Sequence, residues 1–365
     1  MITNQEWKNE AMNLEIGVAV PPLTDGKEFT EVAQAAEAVG VDALWTYDAG
    51  RGEEPFARVG FLASITRRAT LCAGVINPFL RHPAVLAGAT ATMDRLSGGR
   101  FRLVMGLGWK PDIENVLGVS RRRPYADFQA SITIIKRLLA GEEVSYQGER
   151  FSLHGAKLGI APIGSSIPIY VADGGRRALS IAAAHAEGYL ASFGPDPRYV
   201  HTLKEITASV RRVERRLHLG FLMAFRADEP EAGLAAARRS LAWELATSAS
   251  TDPYYAVAGA GPELVAAIRS VLGLDELIRQ KRDPMIPYRD PSRLEAAGRL
   301  LPTDLVTTLA PTHNLIGPLP WALQRLGEIA ELGVDFVVLH FPTRFRETLP
   351  ALAELISRFR ESSSQ

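Results

Sequence analysis

Short runs of apolar residues alternate with longer amphipathic segments along most of the chain. The run at residues 14–20, LEIGVAV, is largely apolar, as expected of a parallel strand that is covered on both faces. The next segment repeats apolar residues at spacings of three and four and stops at Gly40, which predicts an amphipathic helix. Seven more runs have the character of buried strands, and they lie at residues 43–47, 69–76, 101–106, 169–171, 189–192, 217–227 and 336–340.

Helical patterns follow these runs and complete a repeating strand–helix order. Further helices are predicted at residues 55–65, 83–96, 125–139, 176–186, 198–215 and 348–359. Eight strand–helix units in one chain favour a closed (β/α)8 barrel, the TIM barrel of the α/β class, over an open doubly wound sheet. We therefore predict a single barrel domain over residues 1–365.

Two segments interrupt this order. Residues 143–153 alternate polar and apolar positions around Gln147-Gly148, which predicts a β-hairpin after the fourth helix. Residues 241–318 are too long for an ordinary connection, and they contain helical patterns at 262–272 and 275–281. We interpret this second segment as an insertion after the seventh strand that covers the mouth of the barrel.

Composition and charge argue against some classes of binding partner. The 41 basic and 41 acidic side chains give a formal net charge of zero, so neither a nucleic acid nor an anionic membrane is expected as a partner. The single cysteine, Cys72, excludes an internal disulfide and fits a reducing compartment. The N-terminal residues lack the pattern of a signal peptide, and no run of about 18 apolar residues occurs. We expect a cytoplasmic protein that acts on a small molecule.

The end of the third predicted strand is unusual. Residues 72–83, CAGVINPFLRHP, pass from small apolar residues directly into Asn-Pro and Arg-His-Pro, and AVLAGATATMDRLSGGRFRLVMGLGW follows. This stretch resembles the luciferase-like family of flavin- and deazaflavin-dependent oxidoreductases. It is most similar to the branch that uses the deazaflavin coenzyme F420 and includes the methylenetetrahydromethanopterin reductases. The resemblance extends over residues 14–227 and 303–358 and leaves residues 241–302 uncovered.

The resemblance implies a TIM barrel that binds coenzyme F420, with FMN as the alternative cofactor, and that assembles into homodimers. It also implies a bulge at the end of the third strand that backs the central cofactor ring, with a non-proline cis peptide at Gly74-Val75 or the next bond. The residues of this bulge are Gly74, Val75, Ile76 and Asn77. The turn after the fifth strand would hold the cofactor phosphate through Ala172, Asp173, Gly174, Gly175 and Arg176.

The residues at these strand ends suit such roles on chemical grounds. The pair Gly174-Gly175 lets backbone amides approach a ligand, and the helix N-terminus near Arg176 favours an anion. Gly106 and Gly108, at the end of the fourth strand, leave space beside the backbone for a flat ring. Trp109, Tyr288 and Phe79 are expected to offer apolar walls. Because no helix with a third glycine follows Gly108, the dinucleotide-binding fingerprint is absent.

The sequence does not identify the residue that would transfer protons. Many family members carry Asp-His at the positions of Asp48 and Ala49, and some F420-dependent members carry Glu at the position of Trp109. The remaining candidates for acid–base catalysis are Asp48, which would also contact the cofactor edge, Glu53, and His340 at the end of the last strand. For Glu53, a solvated loop charge is an equally good interpretation.

The sequence is compatible with three functions. The first is an F420-dependent oxidoreductase that transfers a hydride between the deazaflavin C5 and a small organic substrate. The second is an FMN-dependent monooxygenase of the same family, and the third is a cofactor-binding homologue with weak or no catalysis. No metal is expected, because the seven histidines show no ligand spacing. His82 is expected to cap a helix.

Overall fold

Eight parallel strands close into a barrel in the computed structural model, which describes residues 14–21, 25–47, 52–164, 166–172, 175–191, 194–210, 216–227, 230–248, 260–341 and 345–363. The strands of these residues are β1 (Glu15–Ala19), β2 (Ala43–Thr46), β3 (Thr70–Ile76), β4 (Phe101–Met105), β5 (Val144–Gln147), β6 (Ser152–Ala156), β7 (Ile169–Ala172), β8 (Gly188–Ala191), β9 (His218–Ala227), β10 (Asn314–Gly317) and β11 (Phe336–His340). The barrel order is β1-β2-β3-β4-β7-β8-β9-β11, and β11 pairs with β1 to complete the ring. The predicted (β/α)8 barrel is confirmed.

Helices surround the barrel and build the insertion. They are α1 (Gly26–Ala38), α2 (Pro55–Ile65), α3 (Pro83–Ser97), α4 (Pro124–Leu139), α5 (Arg176–His185), α6 (Pro197–Val210), α7 (Pro230–Ser248), α8 (Pro262–Leu272), α9 (Leu274–Arg279), α10 (Pro291–Arg299), α11 (Thr303–His313), α12 (Leu319–Glu331) and α13 (Phe345–Ser363). A short π-helix spans Pro111–Val116, and a 3-10 turn spans Pro287–Arg289. In the described part of the chain, no helix combines the length and the apolar run needed to cross a bilayer.

Local sequence explains where α3 begins and ends. Pro83 occupies the first helical position, where its missing amide hydrogen costs nothing. The Nδ1 atom of His82 accepts a hydrogen bond from the Ala84 amide at 3.2 Å, so His82 caps the helix as predicted. Gly98 ends the helix in the left-handed region, with φ at 69°. These two caps fix the helix that leads away from the unusual end of β3.

The hairpin and the insertion lie where the sequence predicted them, with different bounds. β5 and β6 form an antiparallel pair in the position predicted for the hairpin. The insertion begins earlier than predicted, because α7 starts at Pro230 rather than at residue 241. β10, which no sequence pattern indicated, pairs in parallel with residues 224–227 at the end of β9. The insertion therefore adds a strand to the mouth end of β9.

Large rings fill the barrel interior because glycines face them. A Cβ atom on any of these glycines would lie 2.6 Å or less from a ring atom, so each large side chain requires its small partner. The pairs are Gly17 with Trp45, Gly188 with Tyr170, and Gly220 with Phe336. This alternation of small and large residues makes the interior a packed core and not a channel.

A charged pair lies in the barrel interior near the amino ends of the strands. Arg102 donates from Nη1 and Nη2 to the two carboxylate oxygens of Glu15, at 2.8 and 2.9 Å. Its guanidinium carbon lies 4.4 Å from the centroid of the Tyr170 ring. Cys72 is fully buried in the same interior, and burial raises the pKa of its thiol to about 12. Any bound molecule must therefore enter from the opposite end, at the carboxyl ends of the strands.

Candidate active site at the barrel mouth

The bulge predicted at the end of β3 is present. The pairing register with β4 shifts between Ala73 and Ile76, and the Gly74-Val75 peptide is cis, as predicted. A Cβ atom on Gly74 would lie 2.3 Å from the Cβ of Val104 on β4, so only glycine permits this approach. Val75 is the partly exposed residue of the bulge, while its neighbours in β3 after Thr70 are buried.

The end of β4 holds this bulge from the side. A Cβ atom on Gly106 would lie 2.3 Å from the Ala172 carbonyl oxygen and 2.4 Å from Cγ1 of Val75. On Gly108, where φ is 64°, it would lie 2.5 Å from Cδ1 of Ile113. At both positions protein atoms thus occupy the place of a side chain, and a cofactor ring beside this backbone stays a prediction. Gly106 lets the ends of β4 and β7 pack closely around Val75, and Gly108 makes room for Ile113.

Two arginines contact and stabilise the loop that follows β3. Asn77 is buried, and its Oδ1 accepts a hydrogen bond from the Leu80 amide at 3.2 Å, so it shapes the turn. Arg150 of the hairpin donates to the carbonyls of Ser120, at 2.7 Å, and Phe79, at 2.5 Å. The guanidinium groups of Arg150 and Arg121 lie 5.1 and 5.2 Å from the centroid of the Phe79 ring. The hairpin therefore supports the site without reaching it.

Replacing Arg150 with alanine should loosen this loop. The substitution removes two charged hydrogen bonds to backbone carbonyls, each worth about 1.5–3 kcal/mol, together with the contact on Phe79. We expect amide hydrogen exchange in residues 77–82 to become about tenfold faster, measured by mass spectrometry. Arg122→Ala is the matched control, because the one polar contact of Arg122 within the described part of the chain is an exposed ion pair with Glu149 at 3.7 Å. Equal protection in the two variants would contradict the supporting role of Arg150.

The N-terminus of α5 is the second predicted cofactor contact. Gly175 is its N-cap residue, and no side chain caps the helix there. Arg176 is exposed and Ala172 is buried. The described part of this turn therefore presents backbone amides and a cationic side chain, which suits an anion. Asp173 and Gly174 lie outside the described residues.

The three predicted acid–base residues differ in their surroundings. Asp48 lies outside the described residues. The Glu53 carboxylate lies 3.0 Å from Nη1 of the buried Arg58, which also donates to the carbonyls of Val20 and Pro21. Glu53 thus neutralises a buried guanidinium near the start of α2, which is a structural task, and a catalytic role for it stays a prediction.

His340 lies at the mouth, as predicted. Phe336 and Val338 belong to the interior cluster of the barrel, and His340 continues the same alternate positions of β11. Burial lowers the pKa of His340, and the nearby Glu244 carboxyl acts in the opposite direction. The ring is therefore neutral near pH 7, with one nitrogen able to donate and the other able to accept a proton.

Three mouth residues, Tyr47, Trp243 and Glu244, escaped the sequence analysis, whereas Tyr288 was expected as an apolar wall. The Tyr47 hydroxyl at the end of β2 is buried, with no hydrogen-bond partner among the described residues, and burial raises its pKa. The ring of Trp243 on α7 lies 6.0 Å from Trp109 and 5.0 Å from Tyr288, between centroids. Glu244 follows Trp243. Sequence alone gave no signal for Trp243 and Glu244 in the insertion.

An apolar pocket of about 390 Å³ lies beside β10. It is formed by α7, α11, α12 and β10, and the side chains that line it are not titratable. The titratable side chains gather instead around His340. We therefore assign the candidate active site to the mouth.

Comparisons with known proteins agree with this geometry. The 5,10-methylenetetrahydromethanopterin reductase of Archaeoglobus fulgidus is 34% identical over 177 residues, which cover 48% of this chain and 52% of that protein. An F420-dependent glucose-6-phosphate dehydrogenase of Nakamurella multipartita is 29% identical over 205 residues, which cover 52% and 60%. The chain thus spans only half to three-fifths of the length of these two relatives.

A solved structure shares the whole fold. The coenzyme F420-dependent tetrahydromethanopterin reductase of Methanopyrus kandleri superposes with a TM-score of 0.75 at 20% identity, over 95% of this chain and 99% of that one. The sequence profile described as luciferase-like monooxygenase matches residues 9–335. This chain therefore belongs to the luciferase-like monooxygenase family.

Proposed function

We propose that this protein is an oxidoreductase that uses coenzyme F420 and transfers a hydride between the deazaflavin C5 and a small organic substrate. The observation that carries the proposal is the bulge at the barrel mouth, where Gly74 and Gly106 permit close packing and Val75 offers an apolar face. The similarity to an F420-dependent glucose-6-phosphate dehydrogenase supports the choice of cofactor.

The residues present fit a flat ring that carries a phosphate-bearing tail. Val75 would back the ring, and Tyr47 and Leu222, which are the other partly buried residues of the interior cluster, would lie beside it. The turn at residues 172–176 would hold the phosphate at the uncapped N-terminus of α5. When bound there, the deazaflavin supplies a carbon that donates or accepts a hydride.

The insertion would cover the substrate. Trp243 contacts both Trp109 and Tyr288, and these three rings would place aromatic surface over the mouth. Such a cover excludes water and strengthens polar interactions within the site. The same three rings would give the substrate an apolar wall.

Titration with F420 and with FMN tests the proposal. We expect F420 to bind at least about tenfold more tightly than FMN, a difference of about 1.4 kcal/mol, measured by quenching of each cofactor's fluorescence. A protein that is purified yellow and releases FMN on heating would overturn the proposal in favour of the FMN-dependent monooxygenase. F420 binding with no hydride exchange would favour the homologue with weak or no catalysis.

Three broader expectations stay predictions. We propose that the chain forms one domain over residues 1–365 and a homodimer, as the family resemblance implies. Phe61 on α2 and Val85 on α3 are 42% and 64% exposed, and such apolar side chains on the barrel flank suit a contact with a second copy. A cytoplasmic location is supported by the single free thiol, Cys72.

A further inference from the structure

The apolar pocket beside β10 has the size of a small-molecule site. Its volume of about 390 Å³ falls within the range of about 300–1,000 Å³ that is typical of such sites. Its walls come from α7, α11, β10 and α12, and the side chains that form them include Leu234, Ala237, Thr307, Ala310, Ile316 and Trp321. The insertion therefore builds a cavity in addition to covering the barrel mouth.

The lining of the pocket favours a neutral and largely apolar molecule. Among the described residues, no charged side chain lines it, so an ion that entered would lose its hydration without gaining an opposite charge. Leu234, Ile316 and Trp321 remain partly exposed, so an apolar ligand that covers them would remove apolar surface from water. The hydroxyl of Thr307 already donates to the Asp304 carbonyl, at 2.9 Å.

A buried acceptor next to the pocket has no donor. Asn314 of β10 is 2% exposed, and its Oδ1 atom has no hydrogen-bond partner among the described residues. Its Nδ2 atom donates to the Ala310 carbonyl at 3.5 Å, and this contact sets the orientation of the amide, because the reversed amide would bring two oxygens together. A buried acceptor that lacks a donor costs free energy, which a ligand with a suitable donor would recover.

Strand geometry places Asn314 on the pocket side of β10. Side chains two positions apart in a strand lie on the same face, so Asn314 shares the face of Ile316. Ile316 lines the pocket, and its Cγ2 atom lies 3.0 Å from the position that a Cβ on Gly233 of α7 would take. Ala310, which receives the Asn314 amide, belongs to the wall formed by α11. The unpartnered oxygen therefore lies between two walls of the pocket.

We propose that this pocket binds a small, neutral and largely apolar molecule that carries a hydroxyl or N–H group, and that this group donates a hydrogen bond to Oδ1 of Asn314. The apolar walls supply the affinity, and the single acceptor supplies the selectivity. The proposal does not depend on the proposed function, because the residues that line the pocket differ from those assigned to the cofactor.

Two neighbouring threonines of α11 provide a matched test of the site. Thr307 and Thr308 are both exposed, and both hydroxyls donate to the Asp304 carbonyl, but only Thr307 lines the pocket. With 2-naphthol as the probe, we expect isothermal titration calorimetry to give a Kd below about 1 mM for the wild type and for Thr308→Trp. Thr307→Trp should weaken binding at least about tenfold, because its indole would occupy the pocket.

A second probe tests the role of Asn314. In 2-methoxynaphthalene the hydroxyl of 2-naphthol is replaced by an ether that cannot donate. The wild type should bind 2-naphthol about tenfold more tightly than the ether, whereas Asn314→Leu, which has no acceptor, should bind the two within about twofold of each other. The anionic 2-naphthoate should bind to the wild type at least about tenfold more weakly than 2-naphthol.

Each outcome decides one part of the proposal. Equal binding of 2-naphthol by Thr307→Trp and Thr308→Trp, or a wild type that binds none of it at 1 mM, would overturn the site. A preference for 2-naphthol that persists in Asn314→Leu would overturn the role of Asn314, and tight binding of 2-naphthoate would overturn the ligand class. Thr307→Trp should bind F420 as the wild type does, so a failure of the proposed function leaves these results unaffected.

Discussion

Replacing Gly106 with alanine is expected to reduce F420 affinity about 100-fold. The added Cβ would lie 2.3 Å from the Ala172 carbonyl oxygen and 2.4 Å from Cγ1 of Val75, and real Cβ atoms do not approach so closely. The carbonyl belongs to β7, which is paired on both edges, so the bulge at Val75 is the part that must move. Overpacking of this kind costs about 1–3 kcal/mol, and 100-fold corresponds to about 2.7 kcal/mol.

Fluorescence titration measures the loss, and a matched glycine provides the control. Gly88 lies on α3 with open space around its Cβ position, so Gly88→Ala should keep the wild-type Kd. It should also stabilise the helix by up to about 1 kcal/mol, since alanine is the better helix former. If Gly106→Ala folds normally and binds F420 as the wild type does, the bulge does not contact the cofactor.

The barrel strands could be predicted because both faces of a parallel strand are buried. The apolar run ending at Ile76 is also the observed strand, and the prolines and glycines that bound α3 lie where the sequence placed them. The bulge at the end of β3 was predicted from the family resemblance. The close approach of Val104 to Gly74, in contrast, is evident only in the structure. The sequence therefore predicted where the site lies, but it did not explain why glycines are required there.

The chemistry of the mouth was harder to predict, because it depends on contacts between distant segments. From the sequence, Glu53 could be a catalytic carboxyl or a solvated loop charge, and its ion pair with the buried Arg58 is evident only in the structure. Trp243 had no distinguishing neighbour in the sequence, and its contacts with Trp109 and Tyr288 are evident only in the structure. A residue's charge can be read from the sequence, whereas the burial and the partner that decide its role cannot.

Gly220→Ala is expected to lower the free energy of unfolding by about 3 kcal/mol, the upper part of the range for overpacking. Its Cβ would lie 2.3–2.4 Å from three atoms of the Phe336 ring. That ring is itself confined, with centroids 5.9 Å from Trp45 and 5.3 Å from Tyr170, so it cannot turn aside. Equilibrium urea unfolding measures the change as a lower midpoint at constant slope.

A double variant that exchanges the sizes of residues 220 and 336 tests whether the contact between them causes the loss of stability. Phe336→Leu alone should destabilise the barrel, because it removes ring atoms and leaves a cavity. In the double variant Gly220→Ala/Phe336→Leu, the smaller side chain should make room for the new methyl group, so the combined loss should be less than the sum of the single losses. Gly327→Ala on α12, with open space at its Cβ position, should not be destabilised. Additive losses would contradict the complementary packing of glycines and rings that closes the barrel below its active site.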